Sequence, residues 1–117
     1  MTKPRIVLAD DDPKYLCIIK EKLEKAGLEV LTATTSLEVR EALRQPSIDL
    51  AILDIRLDEN KDDKDISGLL LAGEEEFSYI PKILITAHPP EAHFFEALKN
   101  KHKSFIVDFV PKRLGEE

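Results

Sequence analysis

The sequence predicts an α/β domain built on a doubly wound, five-stranded parallel sheet, and three observations lead there. Five short apolar runs, at residues 5–9, 28–33, 48–53, 82–85 and 105–110, alternate with segments whose apolar residues recur at helical spacing. The run Ile48-Asp49-Leu50-Ala51-Ile52-Leu53 is almost continuously apolar, as a strand covered on both faces should be. Polar side chains follow four of the runs: Asp10 and Asp11, Asp54, Thr86, and Lys112. In a parallel sheet these strand ends share one edge, and open α/β sheets carry their chemistry outside that edge.

The elements follow in order. After the strand Arg5–Ala9, Asp12 is a candidate N-cap with Pro13 at the first helical position. The helix runs to about Ala26 on Leu16, Ile19 and Leu23, and Gly27 ends it. Cys17 within it reads as a packed or partly exposed thiol without reactivity. A second strand covers Leu28–Ala33. Ser36 is expected to cap a short helix with Leu37, Ala42 and Leu43 on its apolar face, and Gln45-Pro46 to stop it. The third strand ends at Asp54. Residues 58–65 hold five acids and two lysines and read as a solvated flap. A calcium loop is not supported there, because Asp63 replaces the turn glycine and Leu69 the bidentate glutamate. A helix is predicted over Ile66–Phe77, weakened by Gly68 and Gly73. The fourth strand follows Pro81. Pro89 and Pro90 open a helix through Phe94, Phe95, Ala97 and Leu98 to about Lys101. The fifth strand ends at Pro111, which suits a sheet edge because proline lacks the donor.

At 117 residues the chain reads as one domain spanning 1–117, long enough for a real core. A net charge of -6 without a basic stripe argues against direct nucleic-acid binding. No apolar run approaches the ~20 residues of a membrane span. A single cysteine excludes an internal disulfide and fits the cytoplasm. His93 and His102 read as surface residues, and no cysteine or acid stands at zinc-ligand spacing from them.

The strand-end residues also carry a resemblance. Ile6-Val7-Leu8-Ala9-Asp10-Asp11-Asp12-Pro13, Asp49-Leu50-Ala51-Ile52-Leu53-Asp54-Ile55-Arg56-Leu57, Ile83-Leu84-Ile85-Thr86-Ala87 and Asp108-Phe109-Val110-Pro111-Lys112 occur in order over nearly the whole chain. In this the chain resembles the receiver domain of a two-component response regulator. The resemblance implies a flavodoxin-like sheet of order 2-1-3-4-5 and a phosphorylation-dependent switch, not an enzyme but a phosphoacceptor that assists its own phosphoryl transfer and dephosphorylation. Asp54 would accept a phosphoryl group from a sensor histidine kinase. Asp10, Asp11 and Asp54, with the Arg56 backbone carbonyl, would hold Mg²⁺. Thr86 and Lys112 would each bind a phosphoryl oxygen, and Phe109 matches the aromatic position whose rotamer reports activation. Arg56 and His88 sit where the family tunes phosphoryl lifetime. A downstream output domain or protein would read the result. Elementary chemistry agrees: phosphoryl transfer needs positioning and charge neutralisation more than covalent machinery.

Three features depart from the family pattern. Gly68 stands fourteen residues after Asp54 where the family has glycine at about eight, so the adjoining loop is about six residues longer. Arg113 follows Lys112 where proline, with a cis bond before it, is usual; a non-proline cis bond costs about 2.5–4 kcal/mol. The last helix is missing or truncated, with five residues after Lys112. One face of strands three to five is then expected to be covered by a following segment or in a homodimer. Competing readings stay open. A flavin or nucleotide site would need a Gly- or Ser/Thr-rich first loop in place of three acids. An aspartyl-phosphate hydrolase would carry an acid at position 56. A pseudo-receiver would share the fold and act as an interaction module without phosphorylation.

Overall fold

The computed structural model describes residues 3–54, 57, 67–86 and 106–111. Among them are β1 (Arg5–Ala9), α1 (Pro13–Lys25), β2 (Glu29–Ala33), α2 (Ser36–Leu43), β3 (Leu50–Asp54), α3 (Ser67–Ala72), a 3-10 turn at Glu75–Phe77, β4 (Lys82–Thr86) and β5 (Ile106–Pro111). All strand pairs are parallel and the order is β2-β1-β3-β4-β5, the expected doubly wound sheet, with β5 and its Pro111 at an edge. The helix expected over 89–101, the loop 58–65, His88, His93, His102, Arg113 and the segment after Lys112 lie outside the described residues.

Alternation along the strands divides the core in two. Val7, Ala9, Ala51, Leu53 and Leu84 face α2 and α3, where Val39, Leu43, Leu71, Ala72 and Phe77 close over them. Leu8 and Val30 face α1 and pack with Leu16, Ile19, Leu23 and Ile52. Burying a side chain of this size contributes about 1.5–3 kcal/mol. The sheet is therefore gripped from both faces, and its strand ends are fixed platforms.

The helix ends show why the elements stop where they do. Asp12 caps α1 by accepting hydrogen bonds from the backbone N–H groups of Lys14 (3.0 Å) and Tyr15 (3.4 Å). Gly27 leaves the helix at φ 94°, a left-handed conformation that favours glycine. At α2 the cap is Thr35 and not Ser36: its Oγ1 accepts from Glu38 N–H at 3.2 Å. Glu38 reaches back to accept from Thr34 N–H and Oγ1 at 2.7 and 2.8 Å. These bonds hold the Glu38 carboxyl below its ordinary pKa. Leu37 is also corrected. It is exposed, and Val39 is buried with Leu43 in its place. Leu37 lies two residues before Val39, about 200° around the helix, so both cannot face the core.

The helix predicted over 66–77 is shorter. It ends at Ala72, and Gly73 turns the chain into the 3-10 turn. Glycine costs about 1 kcal/mol in a helix interior, and specific ion pairs reward the break. Arg40 of α2 donates to both carboxylate oxygens of Glu74, and Arg44 likewise to Glu76 (2.6 and 2.9 Å). The Arg44 guanidinium also sits 5.7 Å from the centre of the Phe77 ring. Lys82, which reads as an ordinary strand residue, is fully buried. Its Nζ donates to the carbonyls of Phe77 and Ile80, the latter at 2.7 Å, and so ties off the turn that enters β4. Burial pushes its pKa down to about 8.

Candidate functional site

The site begins with register. Ala9 of β1 pairs with Leu53 of β3, so Asp10 emerges beside Asp54. Asp54 in turn pairs with Ile85, which places the Thr86 backbone one step further along the same edge. Asp10 is held from the other side as well, its N–H donating to Ala33 O at the end of β2 (3.1 Å). Three of the four predicted strand ends therefore reach one place because parallel pairing leaves them no other.

The acidic side chains converge there. One carboxylate oxygen each from Asp10, Asp11 and Asp54 lie within 4.8 Å of one another. Asp10 is 0% and Asp54 1% exposed, while Asp11 is partly exposed. Like charges held this close in a poorly solvated setting repel strongly. The orientation of Asp10 is fixed by a hydrogen bond that its Oδ1 accepts from the Asp12 N–H at 2.9 Å. A set of carboxylate oxygens, without nitrogen or sulfur, suits a hard divalent cation such as Mg²⁺ or Ca²⁺ and not zinc. The residues present thus fit the metal that the sequence implies.

Of the six residues singled out in the sequence, the structure brings Asp10, Asp11 and Asp54 together. Thr86 ends β4 on the same edge, and its backbone pairs with Pro111 of β5. Arg56 and Lys112 lie outside the described residues. The Phe109 backbone pairs with Leu84. Sequence reasoning gave Asp12 only its capping role and missed its donation to Asp10. That bond comes from a backbone N–H, which leaves no signature in residue type.

Comparison with known proteins places this arrangement. The family model described as "Response regulator receiver domain" matches residues 6–117. The transcriptional regulatory protein GlrR of Escherichia coli is 33% identical over 109 residues, covering 92% of this chain and 23% of its own length. The chain thus spans about a quarter of that curated relative. The response regulator TrrA of Thermotoga maritima, solved in complex with Mg²⁺ and BeF, aligns with a TM-score of 0.73 at 30% identity over 96% of this chain and 89% of TrrA. A receiver domain protein from Methanospirillum hungatei aligns with a TM-score of 0.77 at 23% identity, covering 97% of this chain and 85% of its own, and supports the fold.

Proposed function

Since the chain belongs to the response regulator receiver domain family, a family of signalling domains, we propose that it is a phosphorylation-dependent switch whose phosphoacceptor is Asp54. The observation that carries this reading is the convergence of Asp10, Asp11 and Asp54 at the carboxyl edge of the sheet. The Mg²⁺-bound TrrA complex lends it further support.

In this mechanism an Asp54 carboxylate oxygen attacks the phosphorus of a phosphohistidine on a sensor kinase. The O–P bond forms as the N–P bond breaks, and the imidazole leaves with the bonding pair. Asp10, Asp11 and Asp54, with the Arg56 carbonyl, would hold Mg²⁺, which when bound neutralises charge on the phosphoryl oxygens. The buried setting of Asp54 limits water and keeps the acceptor oriented. Thr86 donates its hydroxyl to one phosphoryl oxygen and Lys112 pairs with another, acting as a point charge. A threonine bond that exists only in the phosphorylated state biases the domain between two arrangements, and an output domain or partner reads the difference.

The test is incubation with acetyl phosphate and Mg²⁺, followed by mass spectrometry of the intact chain. One added phosphate is expected, absent in Asp54→Asn and absent when Mg²⁺ is chelated. Label persisting in Asp54→Asn would overturn the acceptor assignment. No label in the wild type would favour the pseudo-receiver reading, which Arg113 in the usual proline position keeps in view.

A further inference from the structure

We propose that Asp12 is a positioning residue for the acidic site: by capping α1 it fixes the backbone N–H that orients the Asp10 carboxylate. This rests on the reading of Asp10, Asp11 and Asp54 as a cation and phosphoryl site. Asp12 points its own carboxylate the other way, into the first turn of α1, and is not a ligand in this assignment.

Five hydrogen bonds and a buried helical turn form one chain of support. Tyr15 and Leu16, in the first turn of α1, are buried and anchor that turn on the core. The Asp12 side chain accepts from Lys14 and Tyr15 N–H, and its carbonyl accepts from Leu16 N–H at 3.1 Å. These bonds hold Asp12 at φ -95° and ψ 105°, the extended conformation of an N-cap. In that conformation its N–H meets Asp10 Oδ1 at 2.9 Å. Asp10 is meanwhile fixed at its own N–H by Ala33 O. Mutual repulsion among three carboxylates within 4.8 Å opposes this arrangement, and the bond from the Asp12 N–H acts against it. The cap of a helix thus sets the aim of a ligand in the preceding loop. Outer partners that orient ligands in this way commonly change metal affinity about 10- to 100-fold when removed.

The experiment compares Asp12→Ala, which removes the cap, with Asp12→Asn, which keeps a capping oxygen but loses the charge. Mg²⁺ affinity is measured by titration calorimetry, and exchange of the amide at position 12 is followed by NMR in metal-free protein. Asp12→Ala should weaken Mg²⁺ about 10-fold and speed exchange of that amide, after correction for intrinsic rates, by a similar factor. Asp12→Asn should stay within about twofold of wild type in both. Equal weakening by both variants would show that the charge and not the cap matters, and would overturn the proposal. A lower melting temperature in Asp12→Ala with unchanged Mg²⁺ affinity and amide exchange would reduce Asp12 to a cap and also overturn it. A wild type that binds no Mg²⁺ but shows the predicted exchange pattern would overturn the metal reading and leave the positioning role standing.

Discussion

Neutralising Asp10 without removing its acceptor should stabilise the metal-free domain. In Asp10→Asn the side-chain oxygen can still accept from the Asp12 N–H, while the negative charge beside Asp11 and Asp54 is gone. At 4.8 Å and an effective dielectric of about 20, each repulsion amounts to about 3.5 kcal/mol. Solvent screening at the partly exposed Asp11 reduces the pair to a net gain of about 1–2 kcal/mol. An unfolding entropy of about 2 cal/mol/K per residue makes each kcal/mol worth about 4 °C in a domain of this size. The melting temperature in EDTA should therefore rise by about 4–8 °C. Asp10→Ala should gain less, because it leaves the Asp12 N–H without its acceptor at a cost of about 1–3 kcal/mol. Saturating Mg²⁺ should reverse the order. The wild type gains about 2.7 kcal/mol at a hundredfold excess over Kd, and Asp10→Asn gains much less. Differential scanning calorimetry with and without Mg²⁺ decides it. An Asp10→Asn variant that melts no higher than wild type in EDTA and responds equally to Mg²⁺ would refute the reasoning.

Two further predictions concern the scaffold. The folded pKa of Lys82, about 8, lies below its unfolded value near 10.4. The unfolded chain therefore holds the proton more tightly, and stability should rise with pH between about 8 and 10.5, by at most ~3 kcal/mol. Urea titrations across that range should show the rise in wild type and not in Lys82→Met; the same slope in both would refute the assignment. Thr35→Ala should cost about 1 kcal/mol through loss of the α2 cap, while Ser36→Ala should stay within about 0.5 kcal/mol, as read from urea midpoints. The reverse order would restore Ser36 as the cap.

What was legible in the sequence is what periodicity and strand-end chemistry encode. The strands and their parallel pairing follow from apolar runs that alternate with helical segments, and the meeting of Asp10, Asp11 and Asp54 follows from the polar residues after four of those runs. What was not legible is decided by one-residue offsets or by tertiary partners. Thr35 and Ser36 are equally good caps by type, and only Glu38 reaching back to Thr34 selects the first. Leu37 looked like a core residue by composition, but Val39, about 200° around the helix from it, takes the core face and leaves Leu37 in solvent. The end of α3 at Gly73 depended on arginines more than thirty residues earlier. Lys82 could not be read as buried, because the carbonyls that receive it belong to a turn whose shape the sequence does not announce.

The two arginine–glutamate pairs across α2 and the 3-10 turn also dictate where this domain tolerates changes in length. Arg40 and Arg44 stand one helical turn apart, and their partners Glu74 and Glu76 stand two residues apart, so the pairs act as a vernier between the two segments. Adding or deleting one residue between Ala72 and Glu76 would displace at least one glutamate from its arginine and rotate Phe77 out of the core it shares with Leu84. Insertions there should be poorly tolerated. Between Asp54 and Gly68 this sequence carries about six more residues than the family pattern. The pairs thus fix the length of the stretch from Ala72 to Phe77, which leaves the extra residues of this sequence on the Asp54 side of α3.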